Sequence, residues 1–145
     1  MRIFITLLFL ASFCVQLSAT HIMAGQVSYK WITGKQYVLK LELYRDCNGI
    51  TAPNSAMINI SSNTCQDSFS VTLPNVSMVD VSPLCPLYTS TCNGGSYPGY
   101  ELYTYEDTVT LPNNCSDWLF EFDICCRPGG ITNIVNPAAE AMHIS

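Results

Sequence analysis

Apolar and polar residues alternate with a period of two through much of the chain beyond residue 20. Val27, Tyr29 and Trp31 alternate with Gln26, Ser28 and Lys30. After Thr33-Gly34, Tyr37, Leu39, Leu41 and Leu43 share one parity while Lys40 and Glu42 share the other. Successive side chains of a strand point to opposite faces, so both runs read as half-buried strands, and the short glycine-containing link joins them as a hairpin. Phe69, Val71 and Leu73 repeat the pattern against Ser68, Ser70 and Thr72. So do Tyr103, Tyr105, Val109 and Leu111, and then Trp118, Phe120, Phe122 and Ile124. A helical period shows only weakly, at Pro137–Met142.

Clusters rich in turn formers separate these runs: Asp46-Cys47-Asn48-Gly49, Asn75 to Pro86, Asn93-Gly94-Gly95-Ser96, Pro112-Asn113-Asn114 and Arg127-Pro128-Gly129-Gly130. Six or seven short strands with frequent turns predict an all-β fold. The expected architecture is a disulfide-stabilised antiparallel β-sandwich, immunoglobulin-like in general architecture, with Trp31 and Trp118 in its core. No internal repeat or linker divides the chain after residue 19, so 20–145 is expected to be a single module.

Residues 1–19 read as a cleavable signal peptide. Met1 and Arg2 precede an apolar run, Ile3 to Val15, of about 13 residues; this suits a signal core and falls short of the ~20 a spanning helix needs. Ser18-Ala19 offers a cleavage site that places the mature start near Thr20. A lipid anchor at Cys14 is the weaker reading, because bulky Phe13 stands where such sites take a small residue. No second apolar stretch is long enough to span a bilayer, so no membrane span is expected after cleavage.

Seven of the eight cysteines follow that signal: Cys47, Cys65, Cys85, Cys92, Cys115, Cys125 and Cys126. Outside the cytoplasm such a set forms disulfides, and all seven are disulfide candidates. The count is odd, so one thiol stays free or pairs with a cysteine beyond Ser145. Cys125 and Cys126 are adjacent and would face opposite ways on a strand, which predicts different partners. Cys85 and Cys92 bracket a short segment and are placed to close a local loop. Ser145 follows with no turn, charged tail or sorting signal. With the odd cysteine, this leads to the expectation that 20–145 is the N-terminal part of a longer protein.

Charge narrows the partners. The mature segment holds five lysines and arginines against eleven acids, a net charge of −6. Its basic residues are few and scattered, which disfavours nucleic acid.

Catalytic chemistry finds little footing. His21 and His143 are the only histidines, and neither accompanies a nucleophile motif. There is no CxxC pair for zinc. Asp46-Cys47-Asn48-Gly49 resembles the start of a calcium loop but lacks the later ligands, so a turn with a disulfide-bonded cysteine is the preferred reading. Glu106 with Asp107, and Glu121 with Asp123, are the densest acidic spots, yet Glu121 and Asp123 most simply mark a solvated face. The expectation is no enzyme, no cofactor and no metal. Three sequons begin at Asn59, Asn75 and Asn114 and matter only in a eukaryotic source. Tyr88, Tyr97, Tyr100, Tyr103 and Tyr105 supply aromatic surface; Tyr103 and Tyr105 share parity with core residues, while Tyr97 and Tyr100 are the possible ligand contacts.

Several stretches in order resemble one family: His21-Ile22-Met23-Ala24-Gly25, Leu43-Tyr44-Arg45-Asp46-Cys47-Asn48-Gly49, Cys92-Asn93-Gly94-Gly95, Tyr97-Pro98-Gly99, Cys115-Ser116-Asp117-Trp118, Cys125-Cys126-Arg127 and Ile131-Thr132-Asn133. Over most of residues 20–145 the chain resembles the N-terminal module of large Bacteroidetes cell-surface proteins, which often carry PKD-like repeats and a gliding-motility-associated C-terminal sorting domain. The resemblance implies export, display at or release from the cell surface, and a non-catalytic adhesion or surface-architecture role; it transfers no catalytic residue. Neither the repeats nor the sorting domain is present in this sequence. Other surface proteins or polysaccharide are the expected partners. A carbohydrate-binding accessory module using loop tyrosines is the alternative, and a small secreted hydrolase ranks third.

Overall fold

The first hairpin forms where the alternation places it. In the computed structural model, which describes residues 21–128 and 131–145, β1 (Ile22–Thr33) and β2 (Gln36–Asp46) pair antiparallel around Gly34-Lys35. The expected signal peptide lies outside the described residues. β3 (Ser55–Ser62), β4 (Asp67–Asp80), β5 (Tyr100–Thr110), β6 (Leu119–Cys125) and β7 (Ala141–Ile144) follow. The chain is all-β, and its strands pair antiparallel in the order β1-β2-β5-β4-β3-β6-β7.

The two expected layers are halves of one curled sheet rather than separate sheets. β4 is the corner. Its first part, Asp67 to Pro74, pairs with β3, and its second part, Asn75 to Asp80, pairs with β5. A register shift between Asn75 and Ser77 marks the bend, as expected where an extra residue raises the local twist. Asn75 Nδ2 donates to the carbonyls of Ser77 and Thr104 at 3.2 Å each, tying down the irregular backbone.

Curling brings the inward rows of both halves together. Leu39, Leu41 and Leu43 of β2 and Tyr105 of β5 meet Ile58 and Ile60 of β3, Phe120 and Phe122 of β6, and Met142 and Ile144 of β7 in one core. Each fully buried aliphatic side chain contributes about 1.5–3 kcal/mol relative to exposure. The buried Tyr105 hydroxyl donates to the Pro53 carbonyl at 2.8 Å, so burial leaves no orphan donor; burial, then the neighbouring Tyr103, pushes its pKa up to about 12. The free edges meet through side chains: the Tyr29 ring lies 5.4 Å from Phe120, and β1 at Gly25 runs hard against Ile144.

Three features depart from the expectations. Trp31 is 60 % exposed rather than in the core, because the far half of β1 is an edge that overhangs the packed layers; Trp118 is half-buried against the core. The stretch from Asn75 continues as strand to Asp80 instead of turning. The weak helical signal at Pro137 is a single turn of 3-10 helix, Pro137–Ala139, feeding β7.

Candidate functional site

Both ends of the curled sheet carry exposed aromatic residues close to a long-range disulfide. At one end Arg45, the next-to-last residue of β2, is buried. Its guanidinium donates to the Ile50 carbonyl at 2.6 Å, to the Gly49 carbonyl, and to the Glu101 carboxylate at 2.5 Å. One side chain thus satisfies the carbonyls of the Asp46–Ile50 turn and a buried acid on the neighbouring strand. Asp46 completes the turn by accepting from Asn48 N at 2.9 Å, and the Asp46 amide reaches back to the His21 carbonyl at 3.1 Å.

Cys47, in this turn, is bonded to Cys92 in the short 3-10 turn Thr91–Asn93, with 5.0 Å between Cα atoms. The packing is tight enough that a Cβ on Gly99 would lie 2.6 Å from Cys92 Sγ, so only glycine fits there. The disulfide pins the irregular segment 81–99. Inside it, Ser90 and Tyr97 form a short parallel bridge, with Thr91 N donating to the Tyr97 carbonyl at 2.8 Å.

Asp80 at the end of β4 organises the same segment. Its carboxylate accepts from Ser82 N at 2.8 Å, Ser82 Oγ, Ser90 Oγ at 2.7 Å and Asn93 Nδ2 at 2.6 Å. These bonds, those from Ser82 foremost, hold the exposed carboxyl below the usual aspartate range. A cleft of about 420 Å3 opens here, lined by Asp80, Ser82, Cys85, Tyr88, Ser90 and Asn93 among others. Tyr88 stands on the cleft and Tyr97 behind it, ring centroids 4.7 Å apart at 55°.

At the opposite end Cys65 is bonded to Cys115. Asp117 anchors the Ser62–Cys65 turn beside that bond, accepting from Ser62 Oγ at 2.6 Å and Thr64 N at 2.8 Å; these bonds lower its pKa to about 2. A smaller cleft of about 150 Å3 lies between the hairpin and β6, lined by Tyr29, Tyr37, Trp118 and Phe120 among others.

Of the sequence candidates, Tyr97 is exposed and belongs to the ring pair. Tyr100 opens β5 and is half-buried, its amide bonded to Ser82 Oγ at 2.9 Å. The structure therefore pairs Tyr97 with Tyr88, not with Tyr100. Two cysteine expectations are overturned. Cys125 and Cys126 bond to each other rather than to separate partners; β6 ends at Cys125, opposite Ala141, so strand alternation does not govern Cys126. Cys92 goes to Cys47, not Cys85, which is exposed and has no disulfide partner among the described residues. His143 acquires partners the sequence did not suggest: Nδ1 lies 2.8 Å from Asp123 and Nε2 3.5 Å from Glu121.

Among the described residues, Cys47, Cys92 and Glu101 have donor atoms within metal-ligand reach of one another, but the two sulfurs are spent in their disulfide. No helix among the described residues is long and apolar enough to cross a membrane. No protein-family model, curated protein or solved structure matches the chain.

Proposed function

We propose that the chain is an exported, non-catalytic module of a bacterial cell-surface protein that acts by binding, in an adhesion or surface-architecture role. One observation carries this reading: each end of the sheet presents exposed aromatic rings beside a long-range disulfide, Tyr88 and Tyr97 near Cys47–Cys92 and Tyr29, with half-buried Trp118 at its side, near Cys65–Cys115. Large aromatic side chains dominate binding surfaces, and fixing them before contact reduces the ordering cost of association. Such bonds persist in an oxidising compartment, which fits the signal-like residues 1–19 and the Bacteroidetes surface-protein resemblance.

Deleting codons 21–145 in the source organism tests the proposal. Protease shaving of intact wild-type cells is expected to release peptides of this segment, and the deletion to lower attachment to surfaces or neighbouring cells. A segment reachable by protease only after lysis, or attachment indifferent to the deletion, would overturn it.

A further inference from the structure

We propose that the cleft beneath Tyr88 is a subsite for a neutral saccharide, with the Tyr88 ring as its stacking platform. This rests on the reading of the module as a binder and names the ligand class. Tyr88 and Tyr97 are 52 % and 42 % exposed although they touch each other. They form a rigid ring pair left open to solvent rather than folded into the core. A pyranose suits that surface: one face is a sheet of C–H groups that stacks on an aromatic ring, and its hydroxyls radiate toward polar groups at the margin.

The margin is prepared for them. Asn93 gives one amide hydrogen to Asp80, which orients its carbonyl and second N–H as an acceptor–donor pair for vicinal hydroxyls. Asp80 has its oxygens engaged by Ser82, Ser90 and Asn93; it sets the geometry of the rim rather than contacting ligand. The loop is held by Cys47–Cys92 and the Ser90–Tyr97 bridge, so little order is lost on binding. The cleft's 420 Å3 falls within the ~300–1,000 Å3 of small-ligand sites.

Charge selects among saccharides. Among the described residues no lysine or arginine lines the cleft, its carboxylate stays ionised, and the mature segment carries −6. Uronate or sulfated chains would bring anions to an acidic rim without a counter-charge. Neutral glycans meet no such penalty.

The full secreted chain, with its disulfides intact, is assayed by calorimetry against cellohexaose, maltohexaose, xylohexaose, mannohexaose and N-acetylchitohexaose, with oligogalacturonate as the acidic probe. The expected result is binding of at least one neutral oligosaccharide, weakened roughly tenfold or more by Tyr88→Ala and unchanged by Met57→Ala, at an exposed position of β3 away from both aromatic sites. Thermal melts establish that each variant is folded, and Tyr97→Ala, which removes only the buttress, is expected to weaken binding less. Cys85 on the same cleft supplies an independent readout: bound glycan should slow its alkylation by iodoacetamide. The proposal fails if none of the five binds, if binding survives Tyr88→Ala, or if oligogalacturonate binds more tightly than all of them. Attachment that depends on residues 21–145 but ignores Tyr88→Ala would sink the saccharide site and leave the binding module standing; attachment that ignores the deletion would sink the module reading itself.

Discussion

Arg45 on β2 and Glu101 on β5 sit opposite each other in the register and join in a buried ion pair, Nη1 to Oε2 at 2.5 Å. Both side chains are about nine-tenths buried, at 9 % and 12 % exposure. The pair matters less for its own energy than for what it aligns: the Asp46–Ile50 turn, and through Cys47 the loop that carries Tyr88.

Breaking one half of such a pair strands the other. Arg45→Met is expected to destabilise the fold by about 3–5 kcal/mol, because Glu101 is left as an uncompensated buried charge. Arg45→Met combined with Glu101→Leu should recover much of that loss. Urea denaturation of the two singles and the double resolves this; a double variant as unstable as the sum of the singles would contradict it.

Gly25 marks where the curled sheet closes without a hydrogen-bonded ladder between β1 and β7. A Cβ there would overlap Ile144 Cδ1 and lie 2.7 Å from Leu43 Cδ2. Because Leu43 and Ile144 are both buried, Gly25→Val is expected to cost about 1–3 kcal/mol by overpacking. Thermal melts of Gly25→Val and of Gly34→Val, at a site where nothing lies within 4 Å of the added Cβ, separate crowding from loss of glycine: added cost at Gly25 should be relieved by Ile144→Ala, and cost at Gly34 should not.

His143 holds β7 to β6 through carboxylates. Its pKa is raised, first by the hydrogen bond to Asp123 and then by the charges of Asp123 and Glu121. A raised folded-state value means that the stabilisation is fully present below the unfolded pKa near 6.5 and is lost as pH climbs through the folded one. Protection of the Met142, His143 and Ile144 amides against hydrogen exchange, corrected for intrinsic rates, should fall in the wild type as pH rises above about 6.5 and through the raised folded-state value. In His143→Gln it should stay flat.

Most of the sheet was legible because its inward positions alternate with bulky residues. The hairpin, the Phe69–Leu73 strand, β5 and β6 all announce themselves this way. β3 sits outside the named runs: Ala56 is small and only Ile58 and Ile60 are bulky inward residues. Four-residue β7 is too short to show a period. Beyond Pro74-Asn75 the turn formers hid a strand, since the bulge absorbs them while β4 changes partner. Trp31 kept the right parity and still lies open, for parity fixes the face of a strand but not whether a neighbour covers it. The candidate site was legible only in part. Tyr97 stood out, whereas its pairing with Tyr88 and the Asp80 network depend on a loop whose course the sequence does not dictate. The cysteines marked that loop as stapled without saying to what, and only the approach of the β2 end to Gly99 selects Cys47–Cys92.

Two long-range disulfides hold the loops at either end of the sheet, and the proposed binding role depends on them. Mass spectrometry of non-reduced peptides, from protein alkylated as it is harvested from the source, tests this most directly. The expected result is Cys47 linked to Cys92, Cys65 linked to Cys115, Cys125 joined to Cys126, and alkylated Cys85. Recovery of Cys47, Cys92, Cys65 and Cys115 as alkylated thiols would contradict it, removing both the oxidising compartment and the rigidity of the aromatic loops.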